Sequence, residues 1–279
     1  MEKILIGMNA VLLNTHTLDF ACYLANLTHS RLTGVFLYYP EMEEYPVVKT
    51  AFGAPYVETI VAKDMPGASD LMMTMVTNKQ LFRDICHNRG VGCESHRDRG
   101  VPLEEMIRES RYADLLVADP EMSFEAKPEK APTGFVRELL TKAECPVVVA
   151  PYSFYGVEEI VFACDGSASS LFAIKQFTYL FPELSTRPLT VVQVAEKDNC
   201  DTGNKQLLSD YLQLHYASVG FYELAGKATD ELFGFLLERK NAFVVMGSYG
   251  RSLLSDFFKK STAELVIKTV NLPVFIAHH

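Results

Sequence analysis

The stretch EIVFACDGS, residues 159–167, decides the fold. It contains five apolar residues in a row, followed by an aspartate, a glycine and a serine. Short apolar runs that end in turn-forming residues are typical of strands buried on both faces of a parallel sheet. The stretch KILIGMN, residues 3–9, has the same pattern and ends in an asparagine. The chain therefore contains two similar strands about 150 residues apart, which indicates an internal repeat.

Two further pairs of stretches match in the same order along the chain. They are YADLLVADPEM (112–122) with NAFVVMGSYG (241–250), and AECPVVVAPY (143–152) with VNLPVFIAHH (270–279). Three matches in one order predict a tandem duplication. We expect one domain over residues 1–151 and a second over residues 152–279, joined by a short linker.

Each half alternates apolar runs with helical periods, which predicts an α/β fold made of two Rossmann-like open-sheet domains. Such open sheets are parallel, have helices on both faces and bind ligands at the carboxyl ends of their strands. In the second half, strands are expected at 159–164, 189–195, 220–225, 242–247 and 273–278. Helices are expected near 167–181, 204–218, 229–240 and 261–271.

The segment 40–70 of the first half is longer than the corresponding segment of the second half. It contains Pro40, Pro46, Pro55 and Pro66. We interpret this segment as an inserted loop with a short helix before LMMTMVTNKQLFRDI. This segment and a second polar segment, SFEAKPEKAP (123–132), are alternative candidate lids over a cleft between the two copies.

The composition and the charge of the chain argue against several classes of function. The net charge is −9, so the chain offers no basic surface for nucleic acid. No apolar run approaches the roughly 18 residues of a membrane span, and we expect a cytoplasmic protein without a membrane partner. We expect its six cysteines to be reduced thiols. The histidines lack metal-ligand spacing, and no catalytic constellation is evident.

Asp165, Gly166 and Ser167 follow the strand at 159–164, at the predicted carboxyl edge of the second sheet. The Asp165 carboxylate could accept hydrogen bonds from a ribose or an adenine. The alternative is that Asp165 and Ser167 only shape the turn and cap the next helix.

Gly247 and Gly250 follow the strand at 242–247, and glycines permit close approach of the backbone to a phosphate. Ser261 and Thr262 open the last helix with a capping-box pattern, and a helix start also attracts anions. The alternatives are a plain turn and a plain cap, with Arg251 as a solvated charge.

These motifs resemble the universal stress protein family. Its nucleotide-binding branch has the pattern G-x2-G-x9-G-[ST], of which Gly247, Gly250 and Ser261 match. Lys260 stands at the third glycine. The first half is further from the family pattern, with Asn9 in place of the aspartate and Asp119 and Glu121 where phosphates would bind.

The resemblance implies a five-stranded parallel sheet in each half, with ATP or AMP at the carboxyl edge of the second. It implies that Asp165 contacts base and ribose, and that phosphates are cradled by Gly247, Ser248, Gly250 and Ser261, with Thr262 next to them. It also implies that PVVVAPY and PVFIAHH pair the two halves within one chain.

Three functions remain open on the sequence. The first is a stress-response protein that binds ATP or AMP, with at most weak hydrolysis and no metal site. The second is a module of the same family that has lost nucleotide binding and acts through an unidentified protein partner. Lys260 and the altered first half favour this second function. The third is an enzyme or small-ligand carrier that uses a cleft between the copies.

Overall fold

A ten-stranded open sheet forms the centre of the protein, with helices on both of its faces. The computed structural model of the protein describes residues 1–38, 44–51, 54–61, 68–98, 100–125, 127–195, 202–226, 228–247 and 270–277. The elements of the first half are β1 (Lys3–Asn9), α1 (Thr15–Leu27), β2 (Arg31–Leu37), β3 (Glu44–Ala51), β4 (Ala54–Val61), α2 (Ala68–Asn88), β5 (Cys93–Asp98), α3 (Pro102–Ser110), β6 (Leu115–Ala118), α4 (Gly134–Lys142) and β7 (Val147–Val149).

The second half repeats this alternation of strands and helices. Its elements are β8 (Glu159–Ala163), α5 (Ala168–Leu180), a short 3-10 helix (Pro182–Leu184), β9 (Leu189–Ala195), α6 (Thr202–Gln213), β10 (Val219–Ala225), α7 (Ala228–Leu237), β11 (Ala242–Met246) and β12 (Val274–Ile276). The five strands and the first three helices predicted from the sequence are confirmed within a few residues. The helix predicted near 261–271 lies almost entirely outside the described residues.

The two halves have the same strand order. Across the sheet it is β5-β2-β1-β6-β7 in the first half and β10-β9-β8-β11-β12 in the second. In this sheet, all neighbouring strands of the same half are parallel. The predicted α/β fold with Rossmann-like open sheets is confirmed. The order reverses between β1 and β6 and between β8 and β11, which is where open α/β sheets place their ligand clefts.

The last strands of the two halves join the sheets into one. β12 pairs antiparallel with β7, so that Val148 lies opposite Phe275. Both strands are buried throughout, because each contributes only apolar residues. The backbone hydrogen bonds of the sheet therefore continue from one half into the other without an edge between them.

Each face of the sheet has its own core, because successive side chains of a strand point to opposite faces. Helices α1, α2, α5 and α6 contribute buried residues to one cluster, and helices α3, α4 and α7 to the other. In the second half, Phe177 of α5 is fully buried. Its ring packs against Phe162, Phe181, Phe243 and Phe275 with centroid distances of 4.9–5.7 Å.

The segment that we interpreted as an inserted loop with a short helix has a different structure. Strands β3 and β4 pair antiparallel in a sheet of their own, in which Ala51 pairs with Ala54. The following helix α2 is long, with 21 residues. The prediction of a loop was therefore wrong: the prolines of this segment are tolerated because a two-stranded sheet consists only of edge strands.

Among the described helices, none combines the length and apolarity that crossing a membrane requires. Five of the six cysteines lie in the described part of the chain, and all five are free thiols.

Candidate functional site

The second-half site lies where β8 and β11 end side by side. Ala163 of β8 pairs with Met246 of β11, the last residue of each strand. The predicted site residues Asp165 and Gly247 each follow closely after those paired ends. The fold thus brings the two sequence motifs together at the reversal of strand order. We call residues 165–167 together with Gly247 the second-half site.

Asp165 shapes the turn that leads from β8 into α5. Its Oδ1 accepts a hydrogen bond from the backbone N–H of Ser167 at 3.0 Å, and Gly166 has a φ of +76°, in the left-handed region that favours glycine. Burial raises the pKa of Asp165, but hydrogen bonds from Ser167 and Ser170 outweigh it, so the pKa lies below its usual value. The residue nevertheless remains exposed. A charged carboxylate is therefore held in place at the edge of the sheet.

Ser167 caps helix α5. Its Oγ accepts a hydrogen bond from the N–H of Ser170 at 3.1 Å, and its backbone is extended, as an N-cap requires. Asp165 and Ser167 thus shape the turn and cap the helix, as the alternative to a ligand role predicted. This arrangement does not exclude a ligand, because an exposed carboxylate has acceptor sites beyond the one that Ser167 uses.

Gly247 is required by close packing. A Cβ at this position would lie 2.6 Å from the backbone N of Ser170 and 2.8 Å from the carbonyl carbon of Ser169. These atoms belong to the first turn of α5, which therefore passes against the end of β11. The glycine lets the start of α5 pack closely against the end of β11. A glycine is needed at this position because the backbone of α5 packs against it, and not because of a positive φ.

The remaining predicted site residues lie outside the described part of the chain. They are Ser248, Gly250, Arg251, Ser261 and Thr262, together with Lys260 at the third glycine position. Their roles stay predictions.

The equivalent place in the first half is a cavity of about 810 Å³, which we call the first-half cleft. It is lined by the end of β1, by residues after β6 and by the segment 123–129. Asn9, which replaces the aspartate, accepts hydrogen bonds from the N–H groups of Val11 and Leu12 at 2.9 and 3.2 Å. Its side-chain amide donates to the carbonyl oxygen of Ser123 at 3.4 Å. The asparagine thus ties the end of β1 to the segment predicted to act as a lid.

Asp119 lies in the same cleft, directly after β6. Its Oδ2 accepts a hydrogen bond from the Asn14 side-chain amide at 2.9 Å, and its Oδ1 accepts one from the N–H of Glu121 at 3.0 Å. Burial raises the pKa of Asp119 above its usual value, against the effect of these hydrogen bonds. Carboxylates at this position make the first-half cleft unfavourable for phosphates.

Glu129 is a residue of this cleft that sequence reasoning missed. Its Oε1 accepts a hydrogen bond from the backbone N–H of Gly134, the first residue of α4, at 2.9 Å. Its Oε2 accepts a hydrogen bond from the Ser123 hydroxyl. The helix start that could receive an external anion therefore already holds a carboxylate of the same chain. No sequence motif signals this contact, because it depends on the path of residues 123–132.

In the part of the chain that the structure describes, no three or more His, Cys, Asp or Glu side chains are grouped so as to hold a metal ion.

Comparison with known proteins supports the architecture. No protein-family model matches the sequence, and no curated protein is similar to it. Among solved structures, a universal stress protein from Archaeoglobus fulgidus covers 99% of this chain with 98% of its own, at a TM-score of 0.66 and 12% identity. A Pseudomonas aeruginosa protein provisionally assigned as a universal stress protein covers 100% with 93% of its own, at a TM-score of 0.59 and 15% identity.

A third structure, a universal stress protein family protein from Arabidopsis thaliana with AMP bound, covers 53% of this chain at a TM-score of 0.34. That score is too low to carry its ligand over to the present chain. The two full-length likenesses, at identities of 12% and 15%, establish a shared architecture. Over essentially its whole length, the chain has the fold of a universal stress protein.

Proposed function

We propose that this chain is a two-domain universal stress protein whose second half binds an adenine nucleotide, ATP or AMP. The observation that carries the proposal is the second-half site, where Asp165 and the start of α5 lie beside Gly247 at the reversal of strand order. This is the position at which open α/β sheets bind nucleotides. The sequence after Gly247 adds to this, since three of the four marked positions of the family motif match.

The chemistry of Asp165 suits the sugar and base of a nucleotide. Its lowered pKa keeps the carboxylate charged at neutral pH, and its exposure leaves acceptor sites for ribose hydroxyls or an adenine amino group. The net charge of −9 does not oppose this assignment, because phosphates would be bound locally by backbone N–H groups. We propose that Ser248, Gly250 and Ser261 supply those phosphate contacts, with Arg251 and Thr262 beside them.

Calorimetry of the full-length protein with ATP and with AMP tests the proposal. The informative variant is Asp165→Asn, because asparagine can still accept the Ser167 hydrogen bond that shapes the turn but lacks the charge. We expect it to weaken binding about tenfold or more, which corresponds to a loss of about 1.4 kcal/mol or more. Asp70→Asn makes the same change at an exposed position of α2 and should leave the affinity unchanged.

A second candidate is a module of the same family that acts through protein contacts without a nucleotide. Lys260 at the third glycine position favours it, and so does the first-half cleft, in which Glu129 holds the helix start. Absence of binding at millimolar ATP and AMP would reject the nucleotide proposal and favour this candidate. If Lys260→Gly then gains affinity, the site is a blocked relative of the competent one.

A further inference from the structure

A second cavity lies between α1 and the segment 150–158, which joins β7 to β8 and which we call the linker. The cavity has a volume of about 320 Å³, and we call it the linker pocket. Residues of α1, Arg89 after the end of α2 and residues 153–156 of the linker line it. Among the described residues, none lines both this pocket and the first-half cleft. The linker pocket is therefore separate from both sites described above.

Packed aromatic rings form one wall of the linker pocket. The ring of Phe154, in the linker, packs against the rings of Phe20 and Tyr23 of α1 at centroid distances of 4.9 and 4.6 Å. Phe20 is buried, whereas Tyr23 and Phe154 are only partly buried. Tyr155 also lines the pocket, and it is exposed. The pocket thus offers aromatic surface to a flat apolar group.

An ion pair forms the polar part of the same pocket. Arg89 Nη2 and Asp19 Oδ1 are 2.7 Å apart, and the two side chains are 49% and 41% exposed. The side-chain amide of Asn26 donates to the carbonyl oxygen of Arg89 at 2.9 Å, which holds Arg89 beside α1. A half-exposed ion pair contributes little to stability. Both groups retain hydrogen-bonding capacity for a ligand, because a guanidinium has several N–H donors and a carboxylate has several acceptor positions.

The linker wall is held in place by Asn271, which precedes β12. Its side-chain oxygen accepts hydrogen bonds from the backbone N–H groups of Tyr152 and Ser153 at 2.7 and 3.2 Å. Its side-chain amide donates to the Ser153 hydroxyl at 2.7 Å. At Gly156, an added Cβ would meet no atom within 4 Å, so the linker leaves open space there. The wall is therefore preorganised, which lowers the entropy cost of binding a ligand.

We propose that the linker pocket binds a free α-amino acid with an aromatic side chain. The ammonium and carboxylate groups of an α-amino acid are attached to one carbon, so they lie close together, as do the charges of Asp19 and Arg89. The ligand carboxylate binds the Arg89 guanidinium, and the ligand ammonium group binds the Asp19 carboxylate. The ligand ring lies against Phe154 and Tyr155.

The pocket disfavours ligands that lack one of these parts. A carboxylate or phosphate without an ammonium group is repelled by Asp19, and an amine without a carboxylate is repelled by Arg89. An amino acid with a small side chain leaves the aromatic wall uncovered and loses the gain from burying apolar surface. The volume of about 320 Å³ lies at the lower end of the range for small-molecule sites, as a ligand of this size requires.

Calorimetry of the full-length wild-type protein with L-phenylalanine tests the proposal. We expect a Kd below about 1 mM. Three analogues each lack one recognised part: phenethylamine lacks the carboxylate, 3-phenylpropanoate lacks the ammonium group, and L-alanine lacks the ring. Each should bind at least about tenfold more weakly. Absence of L-phenylalanine binding at millimolar concentration would reject the proposal, and so would an equal affinity for any of the three analogues.

Variants of the ion pair locate the site. Arg89→Gln should weaken L-phenylalanine binding at least about tenfold and remove the preference for L-phenylalanine over phenethylamine. Asp19→Asn should likewise remove the preference over 3-phenylpropanoate. Thermal melts should show both variants folded, because the ion pair is half exposed.

Arg83→Gln makes the same change at an exposed arginine of α2 and is the matched control. It should bind L-phenylalanine like the wild type. If Arg89→Gln and Asp19→Asn also bind L-phenylalanine as tightly as the wild type does, the amino acid binds elsewhere and the assignment of the linker pocket is overturned.

Discussion

The carboxylate of Glu129 accepts a hydrogen bond from the backbone N–H of Gly134 at the first residue of α4. Thr133 caps the same helix through its hydroxyl, which accepts from the N–H of Val136. Two backbone donors at this helix start are thereby satisfied within the chain. The first half therefore has the strand order of an open α/β sheet, but the helix start beside its cleft is taken by a side chain of the same chain.

Removal of this contact should destabilise the protein. We expect Glu129→Ala to lower the free energy of unfolding by about 1–2 kcal/mol, because the Gly134 N–H and the Ser123 hydroxyl lose a charged acceptor. Urea denaturation measures the change. Glu125→Ala, at an exposed glutamate of the same segment, is the control and should unfold like the wild type. Equal midpoints for both variants would show that the Glu129 contact does not stabilise α4.

Gly247 and Gly234 should respond to alanine in opposite directions. Gly247→Ala places a Cβ within 2.6–2.8 Å of the backbone of α5, and we expect a loss of about 2 kcal/mol or more. Gly234 lies inside α7, where an added Cβ would meet no atom within 4 Å, so Gly234→Ala should stabilise by about 0.5–1 kcal/mol. Denaturant melts of both variants measure the two signs. A neutral Gly247→Ala would mean that α5 moves away freely.

The lowered pKa of Asp165 predicts a pH dependence of stability. Because the pKa in the folded protein lies below that of the unfolded chain, the stabilisation is present above the unfolded value of about 3.9 and is lost as pH falls through the folded value. Wild type should therefore melt higher than Asp165→Asn at pH 7, and the difference in Tm should shrink below about pH 4. A difference that is constant from pH 7 to pH 3 would contradict the charged turn.

In the second half, a single substitution in the aromatic cluster should lower the free energy of unfolding more than a substitution elsewhere. Phe177 is fully buried among four other phenylalanine rings, so Phe177→Ala should cost about 3–5 kcal/mol. Tyr155→Ala, at an aromatic residue that is 86% exposed, should change stability by less than about 0.5 kcal/mol. Thermal melts compare the two, and equal melting temperatures would mean that the cluster relaxes to fill the cavity.

The strands and most helices could be predicted because the physics that forms them is local. A strand buried on both faces must be apolar, as in β11 and in β8 after Glu159, and the helices between such strands have apolar residues along their buried side. The pairing of β3 with β4 was not predicted from the sequence. Two segments with several β-branched residues are separated there by only two residues, since one ends at Ala51 and the other begins at Ala54. The prolines of the segment favour a loop and obscure this hairpin pattern.

Parts of the site could not be predicted, because they depend on approaches between distant elements. Gly247 matches a phosphate motif in the sequence, yet its observed role is to let the backbone of Ser169 and Ser170 pass close by. Glu129 carries no motif, since only the folded path of its segment brings it to Gly134. Sequence patterns report which face of an element is buried, whereas these contacts are set by how two elements meet.

The antiparallel pairing of β7 and β12 determines at which edges of the sheet the first-half cleft and the second-half site lie. In the ten-stranded sheet, all strands of one half run the same way, so the reversal at this seam turns the carboxyl ends of the two half-sheets toward opposite rims. No single small molecule can bridge the first-half cleft and the second-half site. A partner that contacts both sites would have to span the sheet from one rim to the other.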